Sequence, residues 1–167
     1  RGGQRQRAMI ALAVANTPRL LVADEPTTAL DPTIQAQILD LFRTLKADTP
    51  EMGLIFVTHD LAVVSELADR VVVMYAGEVV ETGPVAEVFA DPKHPYTAAL
   101  IASVPEGGAE RLRAIPGSVP PPFAMPEGCR FAPRCDHAAP QCKARAPEVS
   151  RIDDGRITRR IRWKEVC

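Results

Sequence analysis

The sequence predicts an α/β fold, from three segments within its first 60 residues. Leu20–Ala23 is a short apolar run that ends in two carboxylates, and a second run, Leu54–Thr58, ends at a histidine. Runs this short, bounded by turn-forming residues, are typical of strands buried on both faces of a parallel sheet. Between them, apolar residues recur at helical spacing from Ile34 to Leu45. Two buried strands joined by an amphipathic helix indicate a parallel sheet covered by helices.

A pair of glycines precedes the first predicted helix. Gly2 and Gly3 lie ahead of the apolar stretch Ala8–Ala15. Glycines let a ligand approach the backbone closely, and a helix N-terminus presents free N–H groups and the positive end of the helix dipole. The segment Gly2–Gln4 is therefore predicted to contact an anion, with an ordinary helix start as the alternative.

Two adjacent acids, Asp24 and Glu25, follow the first predicted strand, and Pro26 comes next. The carboxyl ends of the strands are where open α/β sheets bind ligands. Neighbouring carboxylates repel each other, and a Mg²⁺-nucleotide would relieve that repulsion and give the acids a chemical role. For this run taken alone, a surface turn that happens to be acidic is the alternative.

Two further polar residues accompany the next elements. Asp31 comes just before Pro32, a residue that suits the first turn of the amphipathic helix. His59 directly follows the second strand. An acid pair and a histidine at the ends of two strands predict a polar site at one edge of the sheet.

Short elements are predicted after residue 60. The Pro/Gly-rich segment Pro105–Gly128 is predicted to be an extended tether, with polyproline geometry at Pro120–Pro122. The other predicted elements are strands Arg70–Tyr75 and Glu78–Glu81 around a turn at Ala76-Gly77, helices Val85–Ala90 and Tyr96–Val104, and a hairpin at Ile152–Ile157 with an Asp-Gly turn.

The composition changes near Gly83, because twelve of the sixteen prolines lie from Pro84 onward. We therefore predict two domains, residues 1–83 and 84–167. The longest apolar stretch is far shorter than the ~20 residues of a transmembrane helix. A net charge of −1 argues against non-specific nucleic-acid binding as the main task.

Four motifs of the first half, GGQRQR, LLVADEP, TTALDP and VTHD, resemble the second half of an ATP-binding-cassette (ABC) ATPase. In order and spacing they are similar to its signature motif, Walker B strand, D-loop and switch histidine. The resemblance implies the C-terminal part of a P-loop (RecA-like) ABC nucleotide-binding domain, followed by a small Pro-rich, Cys-containing extension. It also implies ATP and Mg²⁺ as cofactors.

The resemblance implies a role for each candidate residue of this half. Asp24 would hold Mg²⁺, and Glu25 would polarise the attacking water as general base. His59 would contact the γ-phosphate and help to position the water. Asp31 would line the contact between two ATPase domains. Gly2, Gly3 and Gln4 would complete the ATP site of a partner subunit.

The chain departs from the family pattern in two respects. Arg1 stands where a serine usually precedes the two glycines, and no Gly-x-x-x-x-Gly-Lys-Ser/Thr loop occurs in the 167 residues. The sequence also begins inside a motif. We expect it to be a C-terminal fragment of a longer subunit that does not hydrolyse ATP alone.

All four cysteines lie in the tail, with gaps of five, six and 24 residues between Cys129, Cys135, Cys142 and Cys167. In a reducing cytosol, clustered cysteines are more typical of metal ligands than of disulfides. The gaps do not fit the paired knuckles of common zinc modules, and they suit the [4Fe–4S] cluster. Zinc and free thiols stay as alternatives.

The tail resembles the C-terminal extension of oligopeptide and dipeptide importer ATPases, which also occurs in related nickel-type importers. The resemblance lies in KHPYT, SVP, PG and GCRFAPRC. Members with these cysteines bind an iron–sulfur cluster, which implies that all four cysteines are ligands. We also hypothesise that nearby basic residues offset the negative charge of the cluster, the candidates being Arg151, Arg159, Arg160 and Arg162.

The resemblance implies a motor subunit that hydrolyses ATP to power peptide import, at the cytoplasmic face of the cell membrane. Its partners would be a second ATPase subunit, transmembrane permease subunits and, indirectly, a peptide-binding protein, with no nucleic acid. Two alternatives stay open. One is an ABC-type ATPase outside transport, DNA-associated or regulatory, and the other is a cluster-binding interaction module without ATPase activity.

Overall fold

The computed structural model describes residues 2–104 and 114–164. The chain divides into two compact units, Arg1–Ala68 and Asp69–Cys167. The domain boundary predicted from composition, near Gly83, lies later in the sequence. The units divide earlier because the strand that contains Gly83 pairs with strands on both sides in the second unit.

The first unit alternates helices with parallel strands, which confirms the α/β prediction. Strands β1 (Leu20–Asp24) and β2 (Gly53–Val57) pair in parallel, with Leu21 opposite Leu54 and Asp24 opposite Val57. The two acids and the histidine therefore follow neighbouring strand ends. The elements are α1 (Gly2–Val14), β1 (Leu20–Asp24), α2 (Pro32–Asp48), β2 (Gly53–Val57) and α3 (Leu61–Leu67).

Helix α2 forms where its sequence predicts it and supplies much of the core of this unit. The Asp31 carboxylate accepts a hydrogen bond from the Ile34 N–H at 3.0 Å, and Pro32 occupies the first helical position. Phe42 is buried and meets Phe56 of β2 edge to face, with ring centroids 5.2 Å apart.

The prediction that these strands are buried on both faces is wrong. Leu21 and Ala23 are buried in the core, whereas Val22 is 59% exposed and Ile55 is 49% exposed. Successive side chains of a strand point to opposite faces, and within this unit the core cluster packs against one of them.

The second unit contains a four-stranded antiparallel sheet in the order β3 (Arg70–Tyr75), β4 (Glu78–Pro84), β6 (Ile157–Thr158) and β5 (Ser150–Arg151). Ala76 and Gly77 have φ of 47° and 82°, which is the left-handed geometry of a tight hairpin turn. The predicted hairpins and short helices are confirmed. The elements are β3 (Arg70–Tyr75), β4 (Glu78–Pro84), α4 (Val85–Ala90), α5 (Pro95–Ala102), α6 (Pro140–Ala144), β5 (Ser150–Arg151) and β6 (Ile157–Thr158).

The predicted polyproline geometry holds only in part. Pro121 is extended, with φ of −71° and ψ of 154°, but Pro122–Ala124 forms a 3₁₀ turn. The Ala124 N–H closes that turn on the Pro121 carbonyl at 2.9 Å. The first part of the predicted tether lies outside the described residues.

A buried carboxylate connects three segments of the second unit. Glu81 of β4 is completely buried, and its two oxygens accept hydrogen bonds from the N–H groups of Lys93 and His94, both at 2.8 Å. The guanidinium of Arg156, beside β6, lies 3.3 Å from Glu81 and donates to the Asp91 carbonyl at 2.6 Å. A buried charge with such partners is stable, and it becomes costly when one partner is removed.

We expect Arg156→Leu to destabilise the second unit by about 3–5 kcal/mol, because it leaves the Glu81 carboxylate buried without its counter-charge. Urea unfolding followed through the fluorescence of Trp163 measures this change. Arg151→Leu is the matched control, since Arg151 is exposed on β5, and it should change stability by less than about 0.5 kcal/mol. Equal stability of the two variants would contradict the expectation.

Candidate functional site

The acid pair lies at a sharp change of backbone direction. Asp24 is the exposed last residue of β1, and Glu25 has a left-handed φ of 45°. The Glu25 N–H donates to the Val57 carbonyl at 2.9 Å, which holds the turn beside the end of β2. A left-handed non-glycine residue costs on the order of 1 kcal/mol or more, and such residues cluster at functional sites.

Both carboxylate oxygens of Glu25 have partners. The Thr28 hydroxyl donates to Oε2, and Nδ1 of His59 lies 3.2 Å from Oε1. The hydrogen bond from Thr28, and then the one from His59, holds the pKa of Glu25 below its usual value. Glu25 is 42% exposed and His59 75% exposed, so an ionised carboxylate is presented to solvent in a fixed orientation.

The other candidates of the first unit lie where helices begin. Asp31 caps α2, and Gly2, Gly3 and Gln4 form the first turn of α1. A Cβ on Gly3 would come within 2.5 Å of the Ile34 side chain. The glycine is thus needed for the close packing of α1 against α2, a requirement that anion binding did not predict.

Three of the four cysteines meet in the second unit. Cys129, Cys135 and Cys142 line one small pocket together with His94 and Arg160. The Cys129 N–H donates to the Cys142 carbonyl at 2.8 Å. A Cβ on the preceding Gly128 would collide with that same carbonyl. Cys167 lies outside the described residues.

The sulfur atoms interact electrostatically. Burial raises the pKa of the Cys129 thiol, and backbone N–H groups of Phe131 and Ala132 act in the opposite direction. Burial likewise raises the pKa of Cys135, and the backbone N–H of His137 lowers it. The neighbouring thiols also raise these pKa values, so the three sulfurs are close enough for their charges to repel.

Two arginines fasten the cysteine loop to the β3–β4 hairpin. Arg130 donates to the Ala76 carbonyl at 2.5 Å and pairs with Glu78 at 3.2 Å. Arg134 donates to the Pro116 carbonyl at 2.7 Å and to the hydroxyl of Tyr75 at 3.3 Å. These contacts fix the loop that carries Cys129 and Cys135.

The basic residues hypothesised to face a cluster separate into two groups. Arg160 and Arg162 line the cysteine pocket. Arg159 instead donates to the Val79 carbonyl at 3.1 Å, and Arg151 is exposed on β5. Within residues 2–104 and 114–164, no three His, Cys, Asp or Glu side chains are placed to hold one metal ion.

The sequence reasoning missed several residues of these sites. Thr28 stands three residues after Glu25, a spacing that a tight turn brings within hydrogen-bonding distance. His94 precedes Pro95, and His-Pro at a helix start indicates a capping position. Arg130 and Arg134 flank the loop between two cysteines, but the sequence carries no signal for their carbonyl partners.

Sequence comparison relates the chain to peptide-import proteins. Residues 80–142 match the family model described as "Oligopeptide/dipeptide transporter, C-terminal region". A peptide import ATP-binding protein of Brucella ovis is 53% identical over 174 residues, which cover 99% of this chain and 51% of that protein. A second peptide import ATP-binding protein, of Brucella abortus, is 52% identical over 160 residues, which cover 95% of this chain and 48% of that protein. The chain spans about half the length of the curated relatives it matches.

Among solved structures, the chain is similar to CbiO1 of Clostridium perfringens, a part of the ABC transporter complex CbiONQ. The match has 36% identity and a TM-score of 0.48, and it covers 53% of this chain and 35% of the other. Across the described ranges, every helix is too short or too polar to cross a membrane.

We expect Thr28→Ala to raise the pKa of Glu25 toward its ordinary value, because the hydrogen bond from Thr28 is the largest cause of the lowered pKa. Carbon-13 NMR titration of the labelled Glu25 carboxyl measures the change. Thr44→Ala is the control, since the Thr44 hydroxyl donates to the Asp40 carbonyl on α2. An unchanged Glu25 titration in Thr28→Ala would refute this account of the carboxylate.

Proposed function

We propose, from the chain's similarity to peptide import ATP-binding proteins and to the oligopeptide/dipeptide transporter C-terminal region, that the chain is part of an ABC peptide-importer ATP-binding subunit and that its first unit contributes half of an ATP-hydrolysing site. Hydrolysis at that site would power peptide import, with this protein as the motor subunit. The observation that carries the proposal is the contact between Glu25 and His59 at neighbouring strand ends, 3.2 Å apart.

Glu25 would orient the attacking water and accept its proton. A general base works best with a pKa near the operating pH, whereas the hydrogen bonds from Thr28 and His59 lower the pKa of Glu25. This combination favours orientation of the water by a fixed, ionised carboxylate over strong basicity. His59, exposed and held by Glu25, would reach the γ-phosphate of ATP.

Asp24 is the residue suited to hold Mg²⁺. It is an exposed carboxylate one residue from Glu25 at the end of β1, and hard oxygen ligands of this kind are what Mg²⁺ takes, together with substrate phosphates. When bound, Mg²⁺ neutralises charge that develops on the phosphates. The chain's own part is to place one acid for the metal and the next for the water.

The remaining candidates concern partners. We propose that Asp31 lies at the contact with a second ATPase subunit and that Gly2–Gln4 completes that subunit's ATP site. Permease subunits and, through them, a peptide-binding protein would complete an importer with the ATPase at the cytoplasmic face of the membrane. The match of residues 80–142 to the oligopeptide/dipeptide transporter region supports peptides as the cargo.

We expect Glu25→Gln to lower ATP turnover at least about 100-fold, the usual effect of removing a general base, while ATP stays bound. The measurement needs a chain of the relatives' full length that contains these residues. Phosphate release and retention of labelled ATP are the readouts. Glu51→Gln, at an exposed acid of the same unit, is the control, and unchanged hydrolysis by Glu25→Gln would refute the assignment.

We further propose that Cys129, Cys135, Cys142 and Cys167 hold a [4Fe–4S] cluster. Three of these thiols line one pocket, and backbone N–H groups next to Cys129 and Cys135 are directed at their sulfurs. This donor set fits the cluster, whose irons take cysteine thiolates and whose properties depend on hydrogen bonds to sulfur. Arg160, on the same pocket, would offset negative charge there.

We expect the chain, reconstituted anaerobically with iron and sulfide, to turn brown and to bind about four iron atoms. Cys135→Ser should lose most of this iron, because it removes a thiolate from the pocket. His137→Asn keeps all the cysteines and should retain the iron. One tightly bound zinc per chain would favour the zinc alternative, and the same iron content in both variants would refute the ligand assignment.

A further inference from the structure

We propose that Gln35 of α2 is a positioning residue for His59, on which it acts through Asp60, the next residue in the chain. The inference rests on the proposed function, in which Glu25 acts on the attacking water and His59 on the γ-phosphate of ATP. Gln35 touches neither of these groups. It holds the start of α3 against α2, so that the histidine that precedes α3 stays beside Glu25.

The contact that carries the proposal lies at the start of α3. Nε2 of Gln35 donates to Oδ2 of Asp60 at 3.3 Å, across 25 residues of sequence. The other carboxylate oxygen, Oδ1, accepts the N–H groups of Ala62 at 2.9 Å and Val63 at 3.4 Å and so caps the helix. One oxygen of Asp60 therefore caps α3, and the other ties that cap to α2.

Helix α2 holds the backbone of Gln35 in place. The Gln35 N–H donates to the Asp31 carbonyl at 2.8 Å in the first turn of the helix. Three residues further, Ile38 is completely buried in the core of the unit. The side chains of Gln35 and Asp60 are both half-buried. The amide thus reaches the carboxylate from a backbone that has little freedom to move.

The same two helices are also tied at the other end of α3. Arg43 of α2 pairs with Glu66 of α3, and Nζ of Lys46 donates to the Leu67 carbonyl at 3.4 Å. The side chains of the Arg43–Glu66 pair are 37% and 58% exposed, and exposed ion pairs contribute little. These contacts lie about 9 Å along the helix from its start. The Gln35 contact, in contrast, acts at the end next to the histidine.

The direction of the His59 ring depends on the backbone that carries it. The ring is 75% exposed, and its Nδ1 lies 3.2 Å from Oε1 of Glu25. The Asp60 N–H donates to the Thr58 hydroxyl at 3.0 Å, which joins the residues before and after the histidine. A pivot at the start of α3 would therefore move the ring as well. A displacement of about 1 Å in a catalytic group can lower a rate about 100-fold.

The residue type at position 35 decides whether the contact forms. An amide side chain can donate to a carboxylate, or accept from another amide when it is turned over. Gln35→Glu would set a second carboxylate against Asp60, so attraction would become repulsion. Adding Asp60→Asn would restore a hydrogen bond with donor and acceptor exchanged. Asparagine caps helices as well as aspartate does, so the cap of α3 would be kept.

The test measures kcat and KM for ATP hydrolysis in a chain of the relatives' full length that contains these residues. It compares Gln35→Glu with the double variant Gln35→Glu/Asp60→Asn. Gln37→Glu is the matched control, because Gln37 lies on another face of α2 and accepts a hydrogen bond from Arg7 of α1. Thermal unfolding reports whether each variant is folded. Gln35→Met, which keeps the length of the side chain without its donor, replaces Gln35→Glu if the latter does not fold.

We expect Gln35→Glu to lower kcat about tenfold or more and to leave KM within about twofold, because Gln35 positions a reacting group and does not hold the nucleotide. The double variant should return kcat to within about threefold of the wild type, since a charge-assisted hydrogen bond is restored. Gln37→Glu should match the wild type. In a His59→Ala background, Gln35→Glu should cause no further loss of single-turnover rate, since its effect passes through the histidine.

Four results would overturn the inference. They are wild-type kcat in folded Gln35→Glu, no recovery in the double variant, an equal loss of kcat in Gln37→Glu, and a further loss of rate when Gln35→Glu is added to His59→Ala. Failure of the proposed function gives a different result. In that case Glu25→Gln and His59→Ala both hydrolyse ATP at the wild-type rate, and Gln35 loses its role together with the site.

Discussion

The second unit depends on one buried carboxylate. Glu81 lies on an inner strand of the sheet, and its carboxylate accepts from the backbone of Lys93 and His94 and pairs with Arg156. These partners come from segments up to 75 residues away in sequence, so a single charge sets where the start of α5 and the C-terminal hairpin lie. A buried ion pair gives little net stability, because desolvation offsets the attraction. The pair instead fixes where the segments around Glu81 lie. One residue positioned in this way, His94, lines the cysteine pocket.

In the first unit, a backbone constraint fixes the position of the candidate site residues. Glu25 is in the left-handed region, and its N–H is tied to the Val57 carbonyl of the neighbouring strand. Because alternation along β1 stops at Asp24, the two acids do not simply face opposite sides of the sheet. Thr28 and His59 then hold the carboxylate of Glu25 from two directions. In the function proposed above, one strand end would serve a metal and a water with consecutive residues.

The residue patterns predicted the helices and strands more accurately than they predicted what contacts those elements. The periodicity from Ile34 to Leu45 and the Pro32 start located α2, because helix signals are local. The prediction that β1 is buried on both faces was wrong, because a run of apolar residues does not show how many layers cover a strand. The contact of Glu25 with His59 was predictable only as proximity at strand ends. The partners of Glu81 and Arg134 were not predictable, because they combine backbone groups with side chains that lie up to 75 residues away in sequence.

The cysteine pocket is arranged for thiolates although burial opposes them. Burial and mutual repulsion raise the pKa values of Cys129 and Cys135, so the protonated thiols are favoured when nothing else is bound. Backbone N–H groups next to both sulfurs act the other way, and a protonated thiol is a weak acceptor that gains little from them. Donors of this kind stabilise sulfur mainly once it is ionised. In the site proposed above, the irons of the cluster would take the place of the protons, and the donors would then stabilise the ionised sulfurs.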